Sequence, residues 1–174
     1  MTVTPRYIYQ LHVQVQDASP AVWRRLHVAD STTMAQLHRI VQAAMGWHHA
    51  RQYVFELANQ RYGQPNPDLA EDPTMDARRY TLGQLLQTTP VPIRYTCVQG
   101  REWQHRIKVE AVVPGKEVPH PVPHCSAGLH ACPAGSTSDT GPRGDFDLLA
   151  AQQRVRALLA PVRKAPTAPL AKAS

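Results

Sequence analysis

The chain has no apolar run long enough to span a bilayer. Its opening residues, MTVTPRYIYQ, lack the apolar segment of a secretion signal. Together these absences point to a cytoplasmic protein with no membrane partner. Cysteine is scarce: three residues, an odd number, suit reduced thiols or a metal better than a disulfide framework. There is no GxxxxGK, no GxGxxG and no GxSxG, so the signatures of a nucleotide loop, a dinucleotide fold and a nucleophile elbow are all missing. No internal repeat is evident. No basic segment is interleaved with aromatics, which leaves no signal for sequence-specific nucleic-acid recognition.

What remains is a globular composition. The 174 residues suffice for one domain with a real core, and 43% hydrophobic content argues against disorder. The net charge of +6 suggests nucleic acid until it is mapped. Residues 148–174 hold five of the nineteen basic groups and no acid, leaving fourteen basic against thirteen acidic in the rest. Basicity therefore belongs mostly to the tail, and the isoelectric point says little about the folded surface.

The stretch Val22–Trp47 organises the chain. Thr33 and Gln36 have the spacing of a capping box. Met34, Leu37, Ile40, Val41, Ala44 and Met45 then recur on one helical face, with His38 and Arg39 outside that stripe. Gly46 sits where a helix ends in a left-handed turn. His48 and His49 follow, at the negative end of the helix. A helix of about three turns is marginal alone in water and must lie on a sheet.

Strands flank it. Tyr9, Leu11, Val13 and Val15 alternate with polar residues, and Asp17 to Pro20 turns the chain into a strand through Trp23, Leu26 and Val28. Tyr53, Phe55 and Leu57 mark a third strand. Gln64 to Arg79, with three prolines and four acids, reads as an exposed loop. Thr81 and Gln84 cap a short helix. Pro92 to Val98 is a strand, and Trp103, His105, Ile107, Val109 and Ala111 share one face of the last strand. The expected fold is α+β: a mixed sheet packed by one long helix, β-grasp-like, with a ferredoxin-like split as the alternative. Nine of the sixteen prolines lie from Pro114 onward. Residues 1–147 thus read as a single domain that includes a Pro-rich irregular arm at 114–147. Residues 148–160 read as a C-terminal helix, and 161–174 as a disordered basic tail.

Two groups of residues could carry chemistry. His124, Cys125, His130 and Cys132 fall within nine residues, and His105 can approach from the sheet. Sulfur and imidazole suit tetrahedral zinc, but six residues separate the two cysteines, wider than the spacing of common zinc knuckles. The expectation is free thiols and no resident cofactor, with zinc on Cys125, His130, Cys132 and His105 as the alternative. His105 itself reads as a packed, hydrogen-bonded residue, with Trp103 beside it in the core. The second group is cationic. Arg24 and Arg25 point to opposite faces of one strand. The expectation for the inward one is a structural ion pair, since a buried unpaired Arg is costly; an anion contact is the alternative. Arg154, Arg156, Arg163 and Lys164 could hold nucleic acid weakly and without sequence preference, through counterion release.

Several motifs resemble the plasmid pRiA-type ORF-three-like domain family. They are Pro20-x-x-Trp23-Arg24-Arg25, Gln42-Ala-Ala-Met-Gly-Trp47, Tyr53-x-Phe55-Glu56, Tyr62-Gly63-x-Pro65, Trp103-x-His105 with Ile107, Cys125-x-x-Gly128 and Ala131-Cys132-Pro133. The resemblance spans Tyr7 to Phe146, and it implies a small α+β domain associated with plasmids and mobile DNA, with no assigned activity. Many members look like Tyr-Asp-Phe-Gly-Asp before the last strand and Pro-Pro-Glu-Asp after the second cysteine, with a histidine after the helix Trp. Here Val98 to Glu102, Pro133 to Ser136 and Arg51 stand there instead. Asp-to-Val and Glu-to-Gly differences remove ligands outright, and an Arg puts a fixed cation where a metal would sit. The resulting expectation is a binding or accessory module without catalysis, with a metal-assisted hydrolase of atypical site as the alternative.

Overall fold

The computed structural model describes residues 4–47, 50–87, 91–133 and 144–159. The opening hairpin forms as expected, β1 (Tyr7–Val15) pairing antiparallel with β2 (Trp23–Ala29). Then come α1 (Met34–Met45), β3 (Gln52–Leu57), β4 (Gln60–Gly63), β5 (Met75–Asp76) and the one-turn helix α2 (Leu82–Leu85). The chain continues through β6 (Ile93–Gln99), β7 (Arg101–Pro114), β8 (His124–Leu129) and α3 (Leu148–Ala157). The strands make one sheet in the order β5-β4-β3-β6-β7-β1-β2-β8. Neighbours are antiparallel throughout except β4 and β5, which run parallel.

This architecture corrects the expectation of a β-grasp-like sheet packed by one long helix, and the ferredoxin-like alternative with it. Among the described residues the molecule is mainly an eight-stranded mixed sheet with three short α-helices of 12, 4 and 10 residues. Two strands, β5 and β8, lie in segments that read as loop or arm, and β4 lies in a stretch where the sequence marked no strand. β4 and β5 extend one edge, and β8 extends the other. The segment 114–147 is therefore not only an irregular arm: His124–Leu129 pairs with β2 and buries Cys125, while the helix expected at 148–160 is present as α3 with Ala151 and Val155 in the core. Gln64 to Arg79 is not wholly exposed either, since it supplies β5 and the buried Ala77. The miss has a physical cause. β5 is only two residues long, and β8 is a Ser- and Gly-containing stretch with no clean alternation.

Local signals near α1 are borne out. Thr33 Oγ1 accepts from the Gln36 N–H at 3.1 Å, and Gln36 Oε1 accepts from the Thr33 N–H at 2.9 Å. Thr81 and Gln84 repeat the motif at α2. Gly46 closes α1 at φ 79°, a left-handed conformation that a side chain would strain. Met34, Leu37, Val41 and Ala44 of α1 are fully buried with Leu11, Val13, Leu26, Val28, Phe55 and Ile107 of the sheet. His38 departs from the expected stripe, being only 7% exposed.

One register detail moves side chains between faces. β1 pairs Leu11 with Val109 but Gln10 with Ala111, so Glu110 is an extra residue. Such a bulge reverses the alternation, and Ala111 leaves the Val109 face. It also aims Glu110 at Arg25. A second shift, at Arg25/Leu26 against Ala127 and Cys125, leaves Ser126 as the extra residue of β8.

Candidate functional site

The C-terminal end of α1 gathers most of the residues that the sequence marks for chemistry. The last turn of α1 contains no basic residue of its own. Its carbonyls, which carry the negative end of the helix dipole, are met instead by two guanidiniums from elsewhere. Arg24 of β2, 2% exposed, donates from Nε to Ala44 O at 3.1 Å and from Nη1 to Trp23 O and Leu129 O at 2.8 and 3.2 Å. Its guanidinium carbon stands 4.1 Å from the centre of the Phe146 ring. Arg154 of α3 donates to Ala43 O at 2.7 Å and to Ala44 O at 3.4 Å. Arg24 therefore finds backbone carbonyls where an acid was expected. The ion pair falls to its neighbour: Arg25 Nε lies 2.7 Å from Glu110 Oε2 on the opposite face.

The thiols pack around this cation. Cys132 Sγ lies 3.5 Å from Arg24 Nη2 and 3.2 Å from Met45 Sδ. Burial raises the Cys132 pKa to about 11, so the group is a thiol at neutral pH. Cys125 is fully buried and bonds Ala127 O, and burial raises its pKa as well. His130 Nδ1 lies 2.9 Å from Ala21 O. His105 sits elsewhere, in the core under Tyr95 and Trp47, with ring centres 4.9 and 5.3 Å away. Its Nδ1 meets Tyr95 O at 3.2 Å, its Nε2 has no partner, and burial lowers its pKa to about 4. The structure thus brings Cys132 against Arg24, leaves Cys125 bonded to Ala127 O, and does not gather these thiols with His105 and His130 into a ligand set. Among the described residues, no three His, Cys, Asp or Glu side chains are arranged to hold a metal ion. Glu102 and His105, three positions apart on β7, lie on opposite faces, one exposed and one buried.

A third histidine group lies on the outer side of β2 and β8. His120 and His124 stack at 4.1 Å, and His27 approaches them at 5.1 and 6.1 Å. Burial and their mutual charge hold His27 and His124 below the ordinary imidazole value.

Farther toward the start of α1 is a feature that sequence reasoning missed. Gln42 Nε2 donates to the Tyr95 hydroxyl at 2.9 Å, and that hydroxyl lies 2.6 Å from His38 Nδ1. His38 Nε2 faces Ala50 O at 3.1 Å. A carbonyl only accepts, so Nε2 carries the proton and Nδ1 accepts from the tyrosine. The ring of His38 stacks on Tyr53 at 3.7 Å, tilted by 6°. Beside this pair opens a cleft of about 620 Å³, lined by His38, Arg39, Arg51, Tyr53, Asp76 and Arg78 among others. The only local signal was the i, i+4 pair His38 and Gln42 bordering the apolar stripe. The three arginines come from three separate segments, which nothing in a linear pattern joins.

Arg156 is exposed on α3. Arg163, Lys164 and the tail from 161, like His48, His49 and residues 134–136 of the altered acidic motif, lie outside the described residues. Among the described residues, no helix is long and apolar enough to cross a membrane.

A family model described as "Plasmid pRiA4b ORF-3-like protein" matches residues 7–153. An uncharacterised protein, y4hQ, of Sinorhizobium fredii (strain NBRC 101917 / NGR234) is 33% identical over 108 residues, 62% of this chain. The matched stretch spans 55% of that relative. The crystal structure of a protein of unknown function, MM3350, from Methanosarcina mazei Go1 has a TM-score of 0.66. It is 23% identical, and the match covers 90% of this chain and 84% of that one, a likeness of fold.

Proposed function

The chain belongs to the plasmid pRiA4b ORF-3-like family, and from that premise we propose that it is a binding module without catalysis. An accessory role beside mobile DNA is part of the proposal only through the family resemblance. One observation carries it: the groups able to do chemistry are buried or turned apart and, among the described residues, do not converge. Cys132, against Arg24, and the buried Cys125 are both thiols whose pKa is pushed up by burial. His105 is buried and neutral, and Glu102 faces away from it. A metal-assisted hydrolase needs acids or imidazoles that converge in an open pocket. In this reading the thiols hold no zinc, because the fixed charge of Arg24 stands beside them.

The test is hydrolysis of ester, phosphoester and peptide substrates with magnesium, manganese or zinc added. No turnover above background is expected from the wild type. Metal-dependent turnover that disappears in Glu102→Gln or His105→Gln would overturn the reading. Metal analysis of protein purified without a His tag should find zinc far below one equivalent.

A further inference from the structure

We propose that the cleft between α1, β3 and β5 is a binding site for a phosphorylated ligand carrying a flat ring, of the nucleoside phosphate class. The inference rests on the binding-module reading and adds a place and a ligand chemistry to it.

Charge is the first argument. The cleft is walled by three guanidiniums, those of Arg39, Arg51 and Arg78, and by one carboxylate, that of Asp76. Asp76 is already engaged: Arg78 Nη2 lies 2.8 Å from its Oδ2, and Arg78 Nε lies 3.0 Å from its Oδ1. Those bonds hold the Asp76 pKa down at about 2, so the carboxylate stays charged and neutralised in place. Among the described residues, neither Arg39 nor Arg51 has an ion-pair partner. Two planar, forked cations lining a concavity whose one carboxylate is already paired to Arg78 match the oxygens of a phosphate.

Shape is the second. A cleft of about 620 Å³ is far larger than a bare phosphate needs, and it falls within the usual range for organic ligands. Its wall includes the parallel rings of His38 and Tyr53. Both nitrogens of His38 are turned to Tyr95 and Ala50, so that wall is fixed from behind. The half-buried Tyr53 ring, held in place by the buried His38 behind it and set beside two arginines, suits a ring at one end of the ligand and phosphate at the other.

The test is calorimetric titration of the full chain with ADP at low salt. Binding is expected, weakening as salt rises. Arg39→Ala or Arg51→Ala should each reduce affinity several-fold, and the double variant should abolish it. Arg61→Ala, an exposed arginine outside the cleft, should leave it unchanged. Both arginines of the test are exposed, so the variants should fold, which circular dichroism verifies. Pyrophosphate and adenosine should each bind more weakly than ADP. Absence of binding at millimolar ADP, or binding unaltered in the double variant, would refute the site. Pyrophosphate binding as tightly as ADP would refute the ring. Release of phosphate from bound ADP would overturn the non-catalytic reading and leave the site standing.

Discussion

Arg24 and Arg154 share an acceptor: both guanidiniums donate to Ala44 O, at 3.1 and 3.4 Å, one from β2 and one from α3. Two cations from distant segments close a helix end that has no basic residue of its own. The sheet and the C-terminal helix thus both reach the end of α1 at that carbonyl, and Arg154 also bonds Ala43 O at 2.7 Å. Among the described residues no acid pairs with Arg24, and backbone carbonyl dipoles and the Phe146 ring surround its charge instead.

Arg24→Met should therefore destabilise strongly. It removes donors from three carbonyls inside the core, and a loss of about 2–4 kcal/mol is expected. Arg154→Ala, nearer the surface, should lose about 1 kcal/mol. Urea unfolding of the two single variants and the double variant should show them to be non-additive. Strict additivity would mean that the shared carbonyl does not couple them.

Gly128→Ala should also destabilise. A methyl group there would come within 2.7 Å of the Phe146 ring and 3.0 Å of Arg24 Cδ. Side chains can give way, so overpacking by about 1–3 kcal/mol is expected. This offers a reason for glycine in Cys125-x-x-Gly128: it lets Phe146 close over Arg24. An unchanged urea midpoint would contradict the packing described.

Tyr95→Phe deletes the hydroxyl between Gln42 and His38. The partners stay buried and lose their bond, which should reduce stability by about 1–3 kcal/mol. ADP affinity should fall as well, because the His38 ring loses its support. A fully stable Tyr95→Phe protein would show the relay to be idle.

Acid should weaken the fold through its histidines. His105 has a folded pKa of about 4 against an ordinary 6.5, so the unfolded chain gains a proton in that window while the folded one does not. Stability from neutral His105 is complete above the upper value and declines as pH falls toward the lower, by about 3 kcal/mol at most. His27 and His124 are shifted the same way, by burial first and by His120 next. Urea midpoints should drop between neutral and mildly acidic pH, and His105→Phe should flatten part of the fall. A profile identical in the variant would remove His105 from this account.

Much of the fold near α1 was legible in the sequence because its signals are local. Two capping boxes, the Gly46 terminus and the alternation of β1 each lie within one short window. The edges were not legible. Two-residue β5 pairs only because Tyr62 and Gly63 stand beside it, and β8 depends on a bulge at Ser126. The same limit hid the sites. Arg24 and Arg25 were rightly placed on opposite faces, but that the outward one took the acid depended on Glu110 of β7 reaching it across β1, a pairing that no local pattern shows. Arg39, Arg51 and Arg78 meet only once three segments have folded.

A last prediction concerns the tail. Arg163 and Lys164 should give full-length protein a weak, salt-sensitive affinity for DNA of any sequence. A version ending at Ala160 should lose it. Retained binding after truncation would transfer the contact to the folded body.

The central claim is that the two ends of α1 differ: the end at Ala44 is structural, and the flank at His38 takes ligand. Amide spectra of the labelled full chain during titration with ADP test this most directly. The expected shifts cluster at Ala35 to Arg39, Arg51 to Tyr53 and Asp76 to Arg78. Shifts centred instead on Arg24, Cys125 and Cys132 would contradict it.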